Sequence, residues 1–173
     1  PDFVKLLEHE EAQVRQEAVR GIQHLLLAHR PSHVTLRENK GQSFQHRPDD
    51  LPVDDAAIEL VDAGFRKILR RGDDGTTQGL VAYASANLRR FELWPRVLKL
   101  AEKSSDVFAR LASYHALLDM PDVEQVERLM AAFAKEESRV ARSACIRTLS
   151  PLLASLTKPN AEWEAHLMSV VDD

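Results

Sequence analysis

An all-α fold of stacked helical hairpins is what this 173-residue sequence predicts, and three observations carry the prediction. In the stretch 138–153, SRVARSACIRTLSPLL, Val140, Ala141, Ala144, Cys145, Thr148 and Leu149 recur at three and four residues, which lines one side of a helix and leaves Arg139, Arg142, Ser143 and Arg147 off it. Just before it, Val123, Val126, Met130 and Phe133 mark a helix ending near Glu136 and Glu137, leaving room only for a tight antiparallel turn. The pair then recurs. Val140 and Ala144 are answered by Phe108 and Ala112, an offset of 140 minus 108, or 32 residues, with Arg110 answering Arg142. Leu80 and Ala84 keep the same gap of four 28 residues earlier, and Val14 and Ala18 keep it 66 residues before that, about two periods, because 31–55 reads as an insertion. A period of this order predicts about four hairpins stacked in a row rather than a globular bundle.

Taken in order, Asp2 is a plausible cap for a first helix carrying Phe3, Val4 and Leu7. Its mate should run from Ala12 to His29 with Val14, Ala18, Ile22, Leu25 and Leu26 inward, until Pro31 ends it. Residues 31–55 hold Pro31, Pro48 and Pro52 with no helical or alternating pattern, and read as a long inter-repeat loop. Asp54 or Asp55 then caps a helix with Ile58, Val61, Phe65, Ile68 and Leu69 inward, closed by the small and acidic residues from Gly72 to Gly75. The next helix, Thr77 to Arg90, buries Leu80, Ala84 and Leu88. Pro95 suits the first turn of the following one, with Val97, Leu98 and Ala101 inward, and Ser105 or Asp106 caps its mate. Pro151, inside the last apolar pattern, removes a backbone donor and should kink or stop that helix near Ser150.

These motifs resemble the HEAT-repeat family. PDFVKLL at 1–7 followed by QVRQEAVRGI at 13–22 is similar to that family's first helix and its Val-Arg-x-x-Ala second helix, and SDVFARLASYHALL at 105–118 and SRVARSACIRTL at 138–149 are looser copies with the arginine one place later. The resemblance implies a right-handed α-α superhelix, a single solenoid domain over 1–173, whose second helices line a concave face. Residues 160–171, NAEWEAHLMSVV, read as the first helix of a further repeat. With Pro1 in place of an initiator methionine, the chain is expected to be a piece of a longer solenoid, or to end in a divergent cap.

Composition narrows the function. Hydrophobic residues make up 44% of the chain, enough for one sizeable core. Lys plus Arg, 23, against Asp plus Glu, 27, gives a formal charge of -4, so no overall basic field favours nucleic acid. The one cysteine, Cys145, cannot form an internal disulfide and lies on an apolar helix side, which points to a reducing, cytoplasmic setting. No apolar run approaches the length of a membrane span.

No residue is expected to be catalytic, and no cofactor or metal is expected. His29 and His33 are separated by Pro31, which breaks the helix that would align them. His9-Glu10 resembles one of the His-Glu pairs by which HEAT-like deoxyhypusine hydroxylases hold iron, but that family needs several. His115 reads as a packing residue, and no basic group stands in sequence to activate Cys145. No phosphate loop, nucleophile elbow or CxxC pair is present.

Arg70, Arg71, Arg89 and Arg90 fall at helix C-terminal ends, where cations relieve unpaired carbonyls. Arg15, Arg110, Arg139, Arg142 and Arg147 lie along second helices and are the candidate partner-binding residues, a ladder able to grip an acidic peptide or a phosphate backbone. The expected function is a non-catalytic scaffold for another protein. The alternative is a nucleic-acid-binding protein similar to the HEAT-like alkylpurine DNA glycosylases, for which Trp94, Trp163, Glu92 and Glu164 would supply the aromatic and acidic groups.

Overall fold

The computed structural model describes residues 2–28, 55–70, 74–119, 126–154 and 165, and all of the regular structure among them is helical. The helices are α1 (Asp2–Leu6), α2 (Ala12–Ala28), α3 (Asp55–Arg70), α4 (Gly75–Asn87), α5 (Trp94–Lys103), α6 (Val107–Asp119), α7 (Val126–Phe133) and α8 (Arg139–Ala154), with a 3-10 turn at Phe91–Leu93. Each odd-numbered helix packs on the even-numbered one after it. The even helices also pack on each other in chain order, α2 on α4, α4 on α6 and α6 on α8, while α1 touches α3, α3 touches α5 and α5 touches α7. Of the insertion expected at 31–55, residues 31–54 lie outside the described residues and Asp55 already opens α3; the further helix expected at 160–171 also lies outside them, apart from helical Ala165.

The period is set by the caps. Asp74 accepts the Thr77 amide at 3.1 Å, Asp106 that of Ala109 at 2.9 Å and Ser138 that of Ala141 at 3.4 Å, each satisfying a first-turn donor of its helix. These residues stand 106 minus 74 and 138 minus 106 apart, 32 in both cases. The odd helices keep the same interval, because Phe65, Val97 and Leu129, also 32 apart, are all fully buried. Each such side chain contributes about 1.5–3 kcal/mol by leaving water. Around them Val61, Leu69, Leu93, Leu98, Ala101, Val126 and Phe133 complete one continuous core, and Leu7 joins it from α1.

That register corrects the one expected from the apolar residues. Phe108 and Val140 are 69% and 62% exposed, while Ala112 and Ala144 four residues on are buried. With a cap-based interval of 32, Phe108 corresponds to Thr76, so Leu80 matches Ala112 and the expected offset of 28 was four short. Small residues hold the inward positions because the even helices lie close together: a Cβ added at Gly79 would sit 3.0 Å from that of Ala112. Leu25, also expected inward, is exposed near the end of α2.

Two boundaries also differ from expectation. Gly75 opens α4 instead of closing α3, and a Cβ there would run into the Asp106 side chain. Helix α8 passes through Pro151 to Ala154. The proline stands on the exposed side of the final turns, so the carbonyl it leaves without a donor can be hydrated. Helix α4 ends at Asn87, short of the expected Arg90, where Arg89 takes φ 53° and the amides of Arg89 and Arg90 return to Ala86 and Ser85 oxygens at 2.9 and 2.8 Å. This is a Schellman-type stop with arginine in the place that usually holds glycine.

Candidate functional site

The five candidate arginines fall into two groups. Arg15, Arg110 and Arg142 each stand four residues after the first residue of a cap, and their amides close the first helical bond on Glu11, Asp106 and Ser138. From there each guanidinium turns back onto the loop before its own helix. Arg15 donates to the His9 and Glu10 oxygens at 2.7 and 2.6 Å, Arg110 to those of Ser104 and Ser105 at 2.8 and 3.2 Å, and Arg142 twice to that of Glu136 at 2.9 and 2.7 Å. Two of them also reach the next hairpin. Arg15 meets Asp74 at 3.1 Å, and Arg110 grips Glu136 through two bonds at 2.7 and 2.9 Å. Arg15 thus ties the first turn to the second and Arg110 the third to the fourth, and all three arginines have donors occupied within the chain.

Burial makes those ties consequential. The Glu136 side chain is 1% exposed and also accepts the Ser138 amide at 2.9 Å. Burial pushes its carboxyl up, but the Arg110 hydrogen bond, the Ser138 amide and the nearby positive charge outweigh it and hold the group below the usual glutamate value. Asp74 behaves alike: desolvation is outweighed by the Thr77 hydroxyl and amide and by Arg15, and its value is lowered. Asp62, buried like Glu136, is held by Arg90, whose Nε lies 2.9 Å from Oδ1, and Arg90 pairs with Glu92 as well.

Arg139 and Arg147 differ, since both are exposed on α8. Arg147 follows Val140 by seven residues and so shares its helix side. The same spacing relates Phe108 to His115 on α6 and Thr76 to Tyr83 on α4, so three adjacent helices present two rows: Thr76, Phe108, Val140, and Tyr83, His115, Arg147. Within the second row Tyr83 and His115 meet across α4 and α6, their rings stacked with centroids 6.1 Å apart. Apolar positions signalled this surface in the sequence, but were assigned to the core.

The other candidates take structural places. His9 Nδ1 accepts the Glu11 amide at 3.1 Å, and among the described residues no group of three His, Cys, Asp or Glu is placed to hold a metal. Trp94 is buried at the start of α5 rather than offered to a ligand, and Glu92 is taken by Arg90, while Trp163, Glu164, His29 and His33 lie outside the described residues. Cys145 is fully buried; burial pushes its thiol up to about 12, and Sγ lies 3.8 Å from the Leu129 oxygen. Tyr114 donates to the Ala101 oxygen at 3.2 Å, and burial raises its phenol far above the ordinary tyrosine range.

One cavity had no signal in the sequence analysis. It opens between α3, α4 and α5, encloses about 280 Å³, and is lined by Arg70, Arg96, Lys99 and Lys103 with Gln78, Ser104 and Ser105. Three of its cations, Arg96, Lys99 and Lys103, share one side of α5 by their spacing of three and four.

Comparison with protein-family models, with curated proteins and with solved structures found no match to this chain.

Proposed function

We propose that this chain is a HEAT-like α-solenoid, a right-handed superhelix of four hairpins, acting as a non-catalytic scaffold that binds another protein through the concave face of its even-numbered helices. The row-by-row packing of odd on odd and even on even helices supports the solenoid reading. The arginines that strap the first turn to the second and the third to the fourth support the resemblance to the HEAT family. A buried, unactivated thiol suits a cytoplasmic setting, and no described helix is long and apolar enough to cross a membrane.

The observation that carries the binding role is the exposure of Phe108 and Val140 at equivalent places on neighbouring helices. A row of large apolar side chains held in water by its own backbone is stabilised only when a partner covers it. Tyr83 and Leu118, each more than a third exposed, extend the same surface, and the exposed Arg139 and Arg147 give it a cationic edge suited to an acidic protein partner.

The test is a double variant, Phe108→Asp with Val140→Asp, immobilised beside the parent chain and exposed to the same lysate. Because both positions face solvent, the variant should keep its helical circular dichroism and its unfolding midpoint within about 0.5 kcal/mol. Proteins retained by the parent and lost from the variant support the reading; an unchanged set overturns it. Should the parent instead hold oligonucleotides in a salt-sensitive manner that Arg139→Ala and Arg147→Ala abolish, the nucleic-acid alternative takes its place.

A further inference from the structure

The strap that joins successive turns is missing at one place. Counting back 32 from Arg110 gives Gln78, and counting back 32 from its partner Glu136 gives Ser104. The local roles agree with that count. Glu136 accepts the amide of Ser138 and Ser104 accepts that of Asp106 at 3.2 Å, so both side chains bond the residue two further on. A guanidinium and a carboxylate are thus replaced by an amide and a hydroxyl, and both of these line the cavity of about 280 Å³.

Among the described residues its lining carries four cations and no acid. At the corresponding places of the neighbouring odd helices the cations are neutralised: Lys67, 32 before Lys99, pairs with Glu8 at 2.8 Å, and Arg128, 32 after Arg96, pairs with Glu102 at 2.7 Å. Around the cavity no described carboxylate forms an ion pair with Arg70, Arg96, Lys99 or Lys103. The next acid along the turn, Asp106, is directed to the first turn of α6 through Ala109. Like charges three and four apart on one helix repel, and here nothing described within the chain relieves them.

We infer that this cavity, open because Gln78 and Ser104 stand where the next repeat carries Arg110 and Glu136, is a binding site for a phosphate-type dianion, the terminal group of a phosphate monoester. The cations converge on one hollow of limited volume, slightly below the ~300–1,000 Å³ of pockets that enclose whole drug-sized ligands. That favours one compact, doubly charged group over a polymer tracked along a groove. The hydroxyls of Ser104 and Ser105 offer uncharged donors beside the cations, while the Gln78 amide donates to the Ile68 oxygen at 3.3 Å. The site is independent of the apolar surface on the even helices, so either can fail without the other.

The test titrates the full chain by calorimetry with inorganic phosphate, O-phosphoserine, serine and a short oligothymidylate. Saturable binding of phosphate and phosphoserine, absent with serine, is expected. Arg96→Gln and Lys99→Gln should each weaken it about tenfold, the effect of one charge-assisted hydrogen bond. Tighter binding of phosphoserine than of phosphate would identify a modified protein as the source, and equal binding a free phosphate. Ser104→Glu supplies an internal carboxylate in the geometry that Glu136 already uses. It should abolish binding while raising the unfolding midpoint by about 2–4 °C, an outcome that misfolding does not imitate. No saturable phosphate binding by the parent chain would overturn the proposal. So would affinities unchanged in Arg96→Gln, Lys99→Gln or Ser104→Glu, or binding of the oligothymidylate alone.

Discussion

Replacing Arg110 by methionine removes one half of a buried pair and leaves the other behind. Glu136, 1% exposed, would keep the Ser138 amide but lose two charge-assisted bonds, and the Ser104 and Ser105 oxygens would lose their shared donor. An uncompensated buried charge costs about 3–5 kcal/mol. Because the Arg110 side chain is itself 17% exposed and water can reach the vacated place, the lower end applies, about 3 kcal/mol. For a chain of this size that corresponds to a midpoint lower by about 6–12 °C. Adding Glu136→Gln removes the orphaned charge and should return all but about 1 kcal/mol, a neutral hydrogen bond's worth. The exposed pair Arg128–Glu102 is the control: Arg128 is 48% exposed, so Arg128→Met should cost less than about 1 kcal/mol.

The pH dependence gives the prediction its sign. In the parent chain Glu136 lies below its ordinary value of 4.5, so the pair's contribution is fully present above that pH and is lost as pH falls through the lower, folded-state value. In Arg110→Met burial remains, opposed only by the Ser138 amide and the Tyr114 hydroxyl. Burial favours the protonated acid, so the variant's deficit should be large at pH 7 and shrink toward pH 4, where the orphaned carboxyl takes up a proton. Urea unfolding of both chains at the two pH values measures this. A deficit at pH 7 no larger than that of Arg128→Met, or one that does not shrink on acidification, would refute the strap as a buried ion pair.

Three further outcomes follow from the same geometry. Arg89→Gly relieves a left-handed residue at the end of α4 and should raise stability by about 0.5–1 kcal/mol in urea unfolding, because glycine reaches positive φ without the Cβ clash. Thr148 is buried with its hydroxyl 2.6 Å from the Tyr114 oxygen on the neighbouring even helix, so Thr148→Val should cost about 1–2 kcal/mol by thermal unfolding. Cys145, buried and with its thiol pushed up to about 12, should resist iodoacetamide at pH 8 in the native chain and react fully in denaturant; rapid labelling of the folded chain would show that α8 opens from α7.

How far the fold could be read from the chain is clearest at the even helices. Their existence, order and approximate ends were legible, because three- and four-residue apolar spacing survives whichever side is buried. Their rotation was misread. Phe108 and Val140 are the large apolar residues, and size suggested the core; yet helices packed as closely as α4 and α6 at Gly79 admit only Ala112 or Ala144 between them, and the bulky neighbours are turned outward. The fixed reference was polar. Asp74, Asp106 and Ser138 repeat at 32 without exception, since each helix start needs an acceptor at one position only.

Arg15, Arg110 and Arg142 each follow by four the residue whose oxygen opens the helix, Glu11, Asp106 and Ser138, which removes the apparent one-place shift of the arginine in the later repeats: it is the apolar residue before it that moved. The candidate ladder was unreadable for a related reason. Spacing showed that five arginines lie on even helices, but whether a guanidinium meets solvent or a carbonyl depends on the turn beneath it. That turn is six residues back for Arg15, Arg110 and Arg142, and no such turn serves Arg139 or Arg147. The same reasoning explains why the cavity stayed hidden. Its sign is a substitution within a repeating polar frame, Gln78 and Ser104 against Arg110 and Glu136, and a frame laid out by apolar residues was four positions out of step at α4. Once caps define the repeat, an interrupted strap is visible as a pair of uncharged polar residues where the next repeat carries opposite charges. The cations left over on α5 then point to what must complete it.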